Sequence, residues 1–226
     1  MYRADVWLWS LDAPADRVMA ARALLSEDEI GRAARFVRQV HRDRYILGRA
    51  RLRRLLGAET GRDPRDISFT YGENGKPLLR DGPHFNLSHS EDTAALAISR
   101  DLALGIDIEK HRPIEDSVAR YHFSPDEYAE LGCLDGGRWL EGFYRCWTRK
   151  EAIIKTDGQG LSRPLDSFDV SLTPGTPARL IRIEGDEPEQ WRLLHFDPGP
   201  GWSGAVAART GGEEIRLNWR TAHSFE

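Results

Sequence analysis

Apolar positions along this 226-residue chain switch between a helical and a strand period. Val6 to Trp9 is a short apolar run and predicts a strand. Ser26-Glu27-Asp28-Glu29 has the spacing of a capping box, in which the serine caps a helix and Glu29 reaches back. Ile30, Val37 and Val40 then recur at near-helical spacing. Tyr45, Leu52, Leu55 and Leu56 mark a second helical run that stops near Gly57 to Gly61, its arginines lying mostly on the faces between apolar positions. Ile67, Phe69 and Tyr71 alternate as in a strand, and Gly72 to Pro77 is a turn-rich loop. Ala94 to Ser99 and Leu102 to Glu109 predict two strands joined as a hairpin at Arg100-Asp101.

Ser124-Pro125-Asp126-Glu127 is a second helix start, with proline at the first helical position. A longer helix is predicted from about Arg138 to Lys155. Beyond Ser167 the runs Phe168 to Leu172, Arg179 to Ile183, Trp191 to Phe196, Gly204 to Ala208 and Ile215 to Trp219 alternate as strands of an antiparallel sheet. Helices followed by strands, twice over, predict an α+β protein of two similar halves, residues 1–105 and 106–226. No short sequence repeat marks the halves as copies.

Composition narrows the class. Hydrophobic residues are 40% and charged residues 30%, as in a soluble globular protein. A net charge of −4 does not suit a nucleic-acid binder. The charge is uneven, however. Ten arginines and only two acids, Asp43 and Glu59, lie between Arg32 and Arg62, which makes either a basic surface for a phosphate or an acidic protein partner or a plain solvated helix face. No run approaches a membrane span, and Met1 to Ser10 lacks the features of a signal peptide. Cys133 and Cys146 have no metal-finger or CxxC spacing and read as ordinary buried thiols. A cytoplasmic protein is expected.

Asp107 and Glu109 sit two apart in Leu104-Gly105-Ile106-Asp107-Ile108-Glu109. In a strand both carboxylates share one face, where two like charges repel and a divalent cation removes the penalty. Glu151 and Lys155 are four apart on the long helix, with Trp147 one turn earlier on the same face. Alone, the first pair is a solvated strand face and the second a surface salt bridge. Together, three carboxylates make an all-oxygen set suited to Mg²⁺ and substrate phosphates. The seven histidines form no zinc-type pair. His89 stands between Ser88 and Ser90, but no Gly-x-Ser-x-Gly elbow accompanies it.

Three blocks in order resemble the 4′-phosphopantetheinyl transferase superfamily, in its surfactin-synthetase-activating (Sfp-like) branch. The first is Gly75-Lys76-Pro77 with Phe85-Asn86-Leu87-Ser88-His89-Ser90, and the second Gly105 to Glu109. The third is Trp147-Thr148-Arg149-Lys150-Glu151-Ala152-Ile153-Ile154-Lys155, followed by Gly158-Gln159-Gly160-Leu161. The resemblance implies a pseudo-twofold pair of α/β subdomains with the active site at their interface. It implies transfer of 4′-phosphopantetheine from coenzyme A to a serine of an apo acyl or peptidyl carrier protein, and a monomer. Asp107, Glu109 and Glu151 would hold Mg²⁺, with Mn²⁺ as a substitute. Glu151, Lys155 and Glu109 would be catalytic. Arg44, Lys76, Pro77, Ser88, His89 and Lys155 would bind coenzyme A, Arg44 and His89 at its 3′-phosphate, with Arg35 and Arg38 as further candidates there. A magnesium-dependent phosphodiesterase and a non-catalytic coenzyme A- or carrier-binding module are the alternatives.

Overall fold

A computed structural model of the chain describes residues 1–157 and 163–221. The first half runs β1 (Tyr2–Ser10), α1 (Ala15–Arg22), α2 (Glu27–Ala34), α3 (Gln39–Thr60), β2 (Phe69–Tyr71), β3 (Pro77–Leu79), β4 (His84–Ser90) and β5 (Thr93–Ser99). The second repeats that order with β6 (Leu104–Lys110), α4 (Asp116–His122), α5 (Pro125–Gly132), α6 (Gly136–Asp157), β7 (Phe168–Val170), β8 (Leu180–Ile183), β9 (Trp191–Phe196) and β10 (Trp202–Arg209). β11 (Ile215–Thr221) then returns to the first half and pairs parallel with β1.

The sheets are built alike. The first has order β11-β1-β5-β4 and the second β6-β10-β9, so in each the opening strand lies beside the last of its half, with the penultimate strand outside that. β2-β3 and β7-β8 are matching two-stranded ribbons. This is the pseudo-twofold α+β architecture. Each sheet packs its helices on one face, around Leu47, Leu52, Leu56 and Leu96 in the first half and Phe143, Ile153, Phe168 and Leu172 in the second. Val6, Ala95, Ala97, Ile106, Ile108 and Val206 form a third core shared by both sheets.

A repeat that the sequence conceals holds the helices. Glu29 and Glu127 are both at the third position of a capped helix, and both are buried. Glu29 Oε2 pairs with Arg53 Nε at 2.7 Å, and Glu127 Oε2 with Lys150 Nζ at 2.7 Å. Arg53 and Lys150 occupy the same place in their 22-residue helices, α3 and α6. Each also donates to carbonyls of the segment that follows: Arg53 to Pro64 and Ile67, Lys150 to Leu165 and Phe168. Burying such charges requires this pairing and hydrogen bonding.

Several expectations are corrected. Val37 and Val40 are exposed, because α2 ends at Ala34 and a new helix begins at Gln39. Arg49, Arg51 and Arg53 are buried rather than part of a basic face, the first and third around Glu29. Cys133 is exposed, although Cys146 is buried. The hairpin joins β4 to β5, not β5 to β6: β5 has β1 on one edge and β4 on the other, while β6 pairs with β10. The last five strands do not make one antiparallel sheet, since β7-β8 stands apart and β11 joins β1. Gly158 to Leu161 of the third block lies outside the described residues.

Candidate active site

The halves meet where β4 runs beside β6. Among the described residues no backbone ladder joins them; side chains of β4 bond to the amides of β6 instead. Asn86 Oδ1 accepts from the Ile106 N–H at 2.8 Å, Ser88 Oγ from Ile108 at 3.4 Å and Ser90 Oγ from Lys110 at 3.2 Å. Asn86, Ser88 and Ser90 alternate along β4, so all three side chains lie on one face, toward β6.

Asp107 and Glu109 project from β6 beside these rungs. Ile106 and Ile108, which alternate with them, enter the shared core. α6 lies across β6, and Gly105 lets it approach. A Cβ at that position would collide with the Ala152 carbonyl and lie 2.8 Å from the Thr156 nitrogen. The neighbours of those residues on α6 are Glu151 and Lys155, one turn apart. Lys155 Nζ reaches Asp107 Oδ1 at 2.5 Å and Ser88 Oγ at 3.3 Å. Ser88 Oγ itself donates to Asp107 Oδ1 at 2.7 Å, and Ser90 Oγ to Glu109 Oε2 at 2.6 Å.

The electrostatics are those of crowded acids. Burial pushes the Glu151 carboxyl up to about 7; Lys155 opposes the shift, and Asp107 and Glu109 add to it. Burial likewise raises Glu109, held down in part by the Ser90 hydrogen bond. Burial pulls the Lys155 ammonium down, but Asp107, Glu151 and Glu109 outweigh it and the net shift is upward. Asp107 Oδ2 is buried with no hydrogen-bond partner among the described residues. In this arrangement no three His, Cys, Asp or Glu side chains among the described residues form a closed metal cage. An orphaned carboxylate oxygen and three mutually repelling acids are nonetheless the donor set that a hard divalent cation fits.

A cleft of about 370 Å³ opens beside this centre, lined by Phe36, His41, Arg44, Tyr45, His89, Glu109 and Arg112 among others. Arg44 is held there by Asp12 at 2.8 Å, which raises its pKa, with Glu91 at 3.8 Å. His89 is at the open end of β4. Desolvation and then Lys155 lower its pKa. A second, smaller pocket of about 90 Å³ shares Glu109 and Arg112 and is otherwise apolar, with Ile114, Val118, Phe143, Tyr144 and Trp147. A larger groove of about 470 Å³ lies among α1, α2 and α3, but it holds none of these acids.

The structure thus gathers Asp107, Glu109, Glu151, Lys155, Ser88 and His89, with Arg44 across the cleft. It does not bring Lys76 and Pro77 to the cleft lining. Lys76 Nζ instead donates to the carbonyls of Lys155 at 2.5 Å, Thr156 at 2.9 Å and Leu104 at 3.2 Å, fastening the end of α6 to the start of β6. Pro77 opens β3. Arg35 and Arg38 are exposed at the ends of the α2–α3 connection. Ser90, Gly105 and Arg112 join the site in the structure, although the three motif blocks assign none of them a role. For Ser90 the signal was the two-residue spacing from Ser88, which matches that of Asp107 and Glu109.

Comparisons with known proteins agree with this geometry. Residues 103–209 match the 4′-phosphopantetheinyl transferase superfamily. The 4′-phosphopantetheinyl transferase HetI of Nostoc sp. is 38% identical over 212 residues, which cover 90% of this chain and 87% of that protein. The 4′-phosphopantetheinyl transferase Sfp of Bacillus subtilis is 34% identical over 179 residues, covering 78% of this chain and 80% of its own. With its acids and lysine brought together on β6 and α6 inside the matched region, the chain belongs to the 4′-phosphopantetheinyl transferase superfamily.

Proposed function

We propose that this protein transfers the 4′-phosphopantetheine arm of coenzyme A to a serine of an apo acyl or peptidyl carrier protein, releasing 3′,5′-ADP. The observation that carries the reading is the meeting of Asp107, Glu109, Glu151 and Lys155 at the mouth of a cleft that also holds Arg44 and His89. The cleft suits the nucleotide, with Arg44 and His89 at its 3′-phosphate. The aromatic pocket that shares Glu109 and Arg112, about 90 Å³, has room for one end of the pantetheine arm and not for its whole length.

Asp107, Glu109 and Glu151 would hold Mg²⁺, or Mn²⁺ in its place. When bound, the ion supplies charge neutralisation at the pyrophosphate. The carrier serine oxygen bonds to the β-phosphorus as the bond from that phosphorus to the 3′,5′-ADP oxygen breaks. Lys155 stabilises the negative charge developing on the phosphate oxygens. Glu151 takes the serine proton, and Glu109 is the second candidate. The protein acts as a monomer, since its two fused halves carry all the named groups. None of the described helices is long and apolar enough to cross a membrane.

The test is intact-mass spectrometry of apo carrier proteins incubated with this protein, coenzyme A and Mg²⁺, with an EDTA control. The expected result is a gain of one phosphopantetheine that EDTA abolishes. Coenzyme A binding without any mass gain, on carriers of several types, would favour a non-catalytic module instead.

A further inference from the structure

We propose that Ser90 is a positioning residue for Glu109, and through it for the divalent cation of the transfer reaction. The inference rests on the proposed metal site but concerns a residue outside it. The argument is one of hydrogen-bond direction. A serine hydroxyl has a single proton and two lone pairs. The Lys110 N–H can only donate, so at 3.2 Å it claims a lone pair of Ser90 Oγ. The hydroxyl proton is left for Glu109 Oε2, 2.6 Å away, a length typical of a hydroxyl bound to a charged carboxylate. Backbone and side chain thereby fix the serine rotor together. Glu109 Oε2 is spoken for, and Oε1 remains as the oxygen to ligate.

The same arrangement recurs one rung earlier. Ser88 Oγ accepts from the Ile108 N–H and donates to Asp107 Oδ1, leaving Oδ2 without a partner among the described residues. Each carboxylate of the Asp-x-Glu pair is therefore tethered by one oxygen from the opposite half of the molecule. Ser90 differs from Ser88 in having no contact with Lys155, so its effect can be read without disturbing that lysine. Groups that orient a ligating carboxylate typically change metal affinity or activity by about 10–100-fold when removed.

The experiment measures Mn²⁺ binding directly, from the electron paramagnetic resonance signal of free Mn²⁺, for the wild type, Ser90→Ala and Ser90→Thr, with coenzyme A present. Ser90→Ala is expected to weaken Mn²⁺ by about tenfold or more. Ser90→Thr, which keeps the hydroxyl, should restore most of the affinity. With coenzyme A saturating, kcat should fall with the metal affinity. Should Ser90→Ala fail to fold, Ser90→Thr against the isosteric Ser90→Val makes the same comparison. Wild-type Mn²⁺ affinity in the alanine or valine variant overturns the assignment, as does equal weakening in the threonine variant. A wild type that transfers phosphopantetheine while Ser90→Ala binds Mn²⁺ normally removes this inference alone. A wild type that neither binds Mn²⁺ nor transfers removes the parent reading with it.

Discussion

At the scale of single residues, Glu151 combines a half-buried carboxyl, a lysine one turn away and two acids on the facing strand. Glu151→Gln keeps the shape and removes the basic oxygen. Transfer should fall by about 10²–10⁴-fold, the usual worth of a general base, while the circular dichroism spectrum is unchanged. Turnover at the wild-type rate would exclude Glu151 from proton transfer. The same group has a signature in stability. In EDTA, folded Glu151 keeps its proton up to about 7, whereas in the unfolded chain it ionises near the ordinary 4.5. Between those values the folded state binds the extra proton, so raising the pH costs stability, and the loss is complete above about 7. The melting temperature of the metal-free protein should therefore fall from pH 5 to pH 7 more steeply in the wild type than in Glu151→Gln. Parallel slopes in the two proteins would contradict a proton-holding carboxyl. The acid pair and Glu151-Lys155 were legible in the sequence because strand and helix periods specify faces. Ser90's bond to Glu109 was not, since it crosses between strands whose pairing no periodicity reports.

At the scale of elements, the long helix of each half is fastened by a buried acid–base pair. Lys150→Met would leave Glu127 charged and buried without its partner, a loss of about 3–5 kcal/mol. Arg53→Met should cost less, because Glu29 keeps Arg49 at 2.6 Å. Urea denaturation of the two variants checks the order, and a reversed order would show that Arg49 does not compensate Glu29 for the loss of Arg53. Gly105 governs how closely α6 lies on β6. Gly105→Ala must push Ala152 and Thr156 away, an overpacking cost of about 1–3 kcal/mol. Because the displaced turn carries Glu151 and Lys155, transfer should drop well beyond what the fall in melting temperature explains. Helix α6 and the Ser124 start were readable from capping chemistry and apolar spacing. Helix α1 went unread because Ala15–Arg22 buries only Ala21 and shows no apolar stripe. The β4–β5 hairpin was misplaced because Arg100-Asp101 has turn chemistry as good as that of Glu91-Asp92, and only the sheet order decides between them.

At the scale of the whole molecule, the two halves share an architecture and divide the chemistry. The second half supplies Asp107, Glu109, Glu151 and Lys155, and the first supplies Arg44, Ser88 and His89. The duplication escaped the sequence because its shared features are sparse: a Ser-x-Asp-Glu helix start and a basic residue two dozen positions on, arginine in one half and lysine in the other. The return of β11 to β1 escaped it too, since a strand's alternation says which face is buried and not which neighbour it joins. The line between the halves has a consequence of its own. Wherever two strands are joined by main-chain bonds, mutation cannot delete a rung, because every residue but proline carries the same amide. Along β4 and β6 the rungs are Asn86, Ser88 and Ser90. The fit of the two lobes along this line is therefore open to point mutation: a longer or shorter side chain at any of the three positions would remove or strain a rung, and so shift the gape of the cleft, without changing either lobe's own sheet.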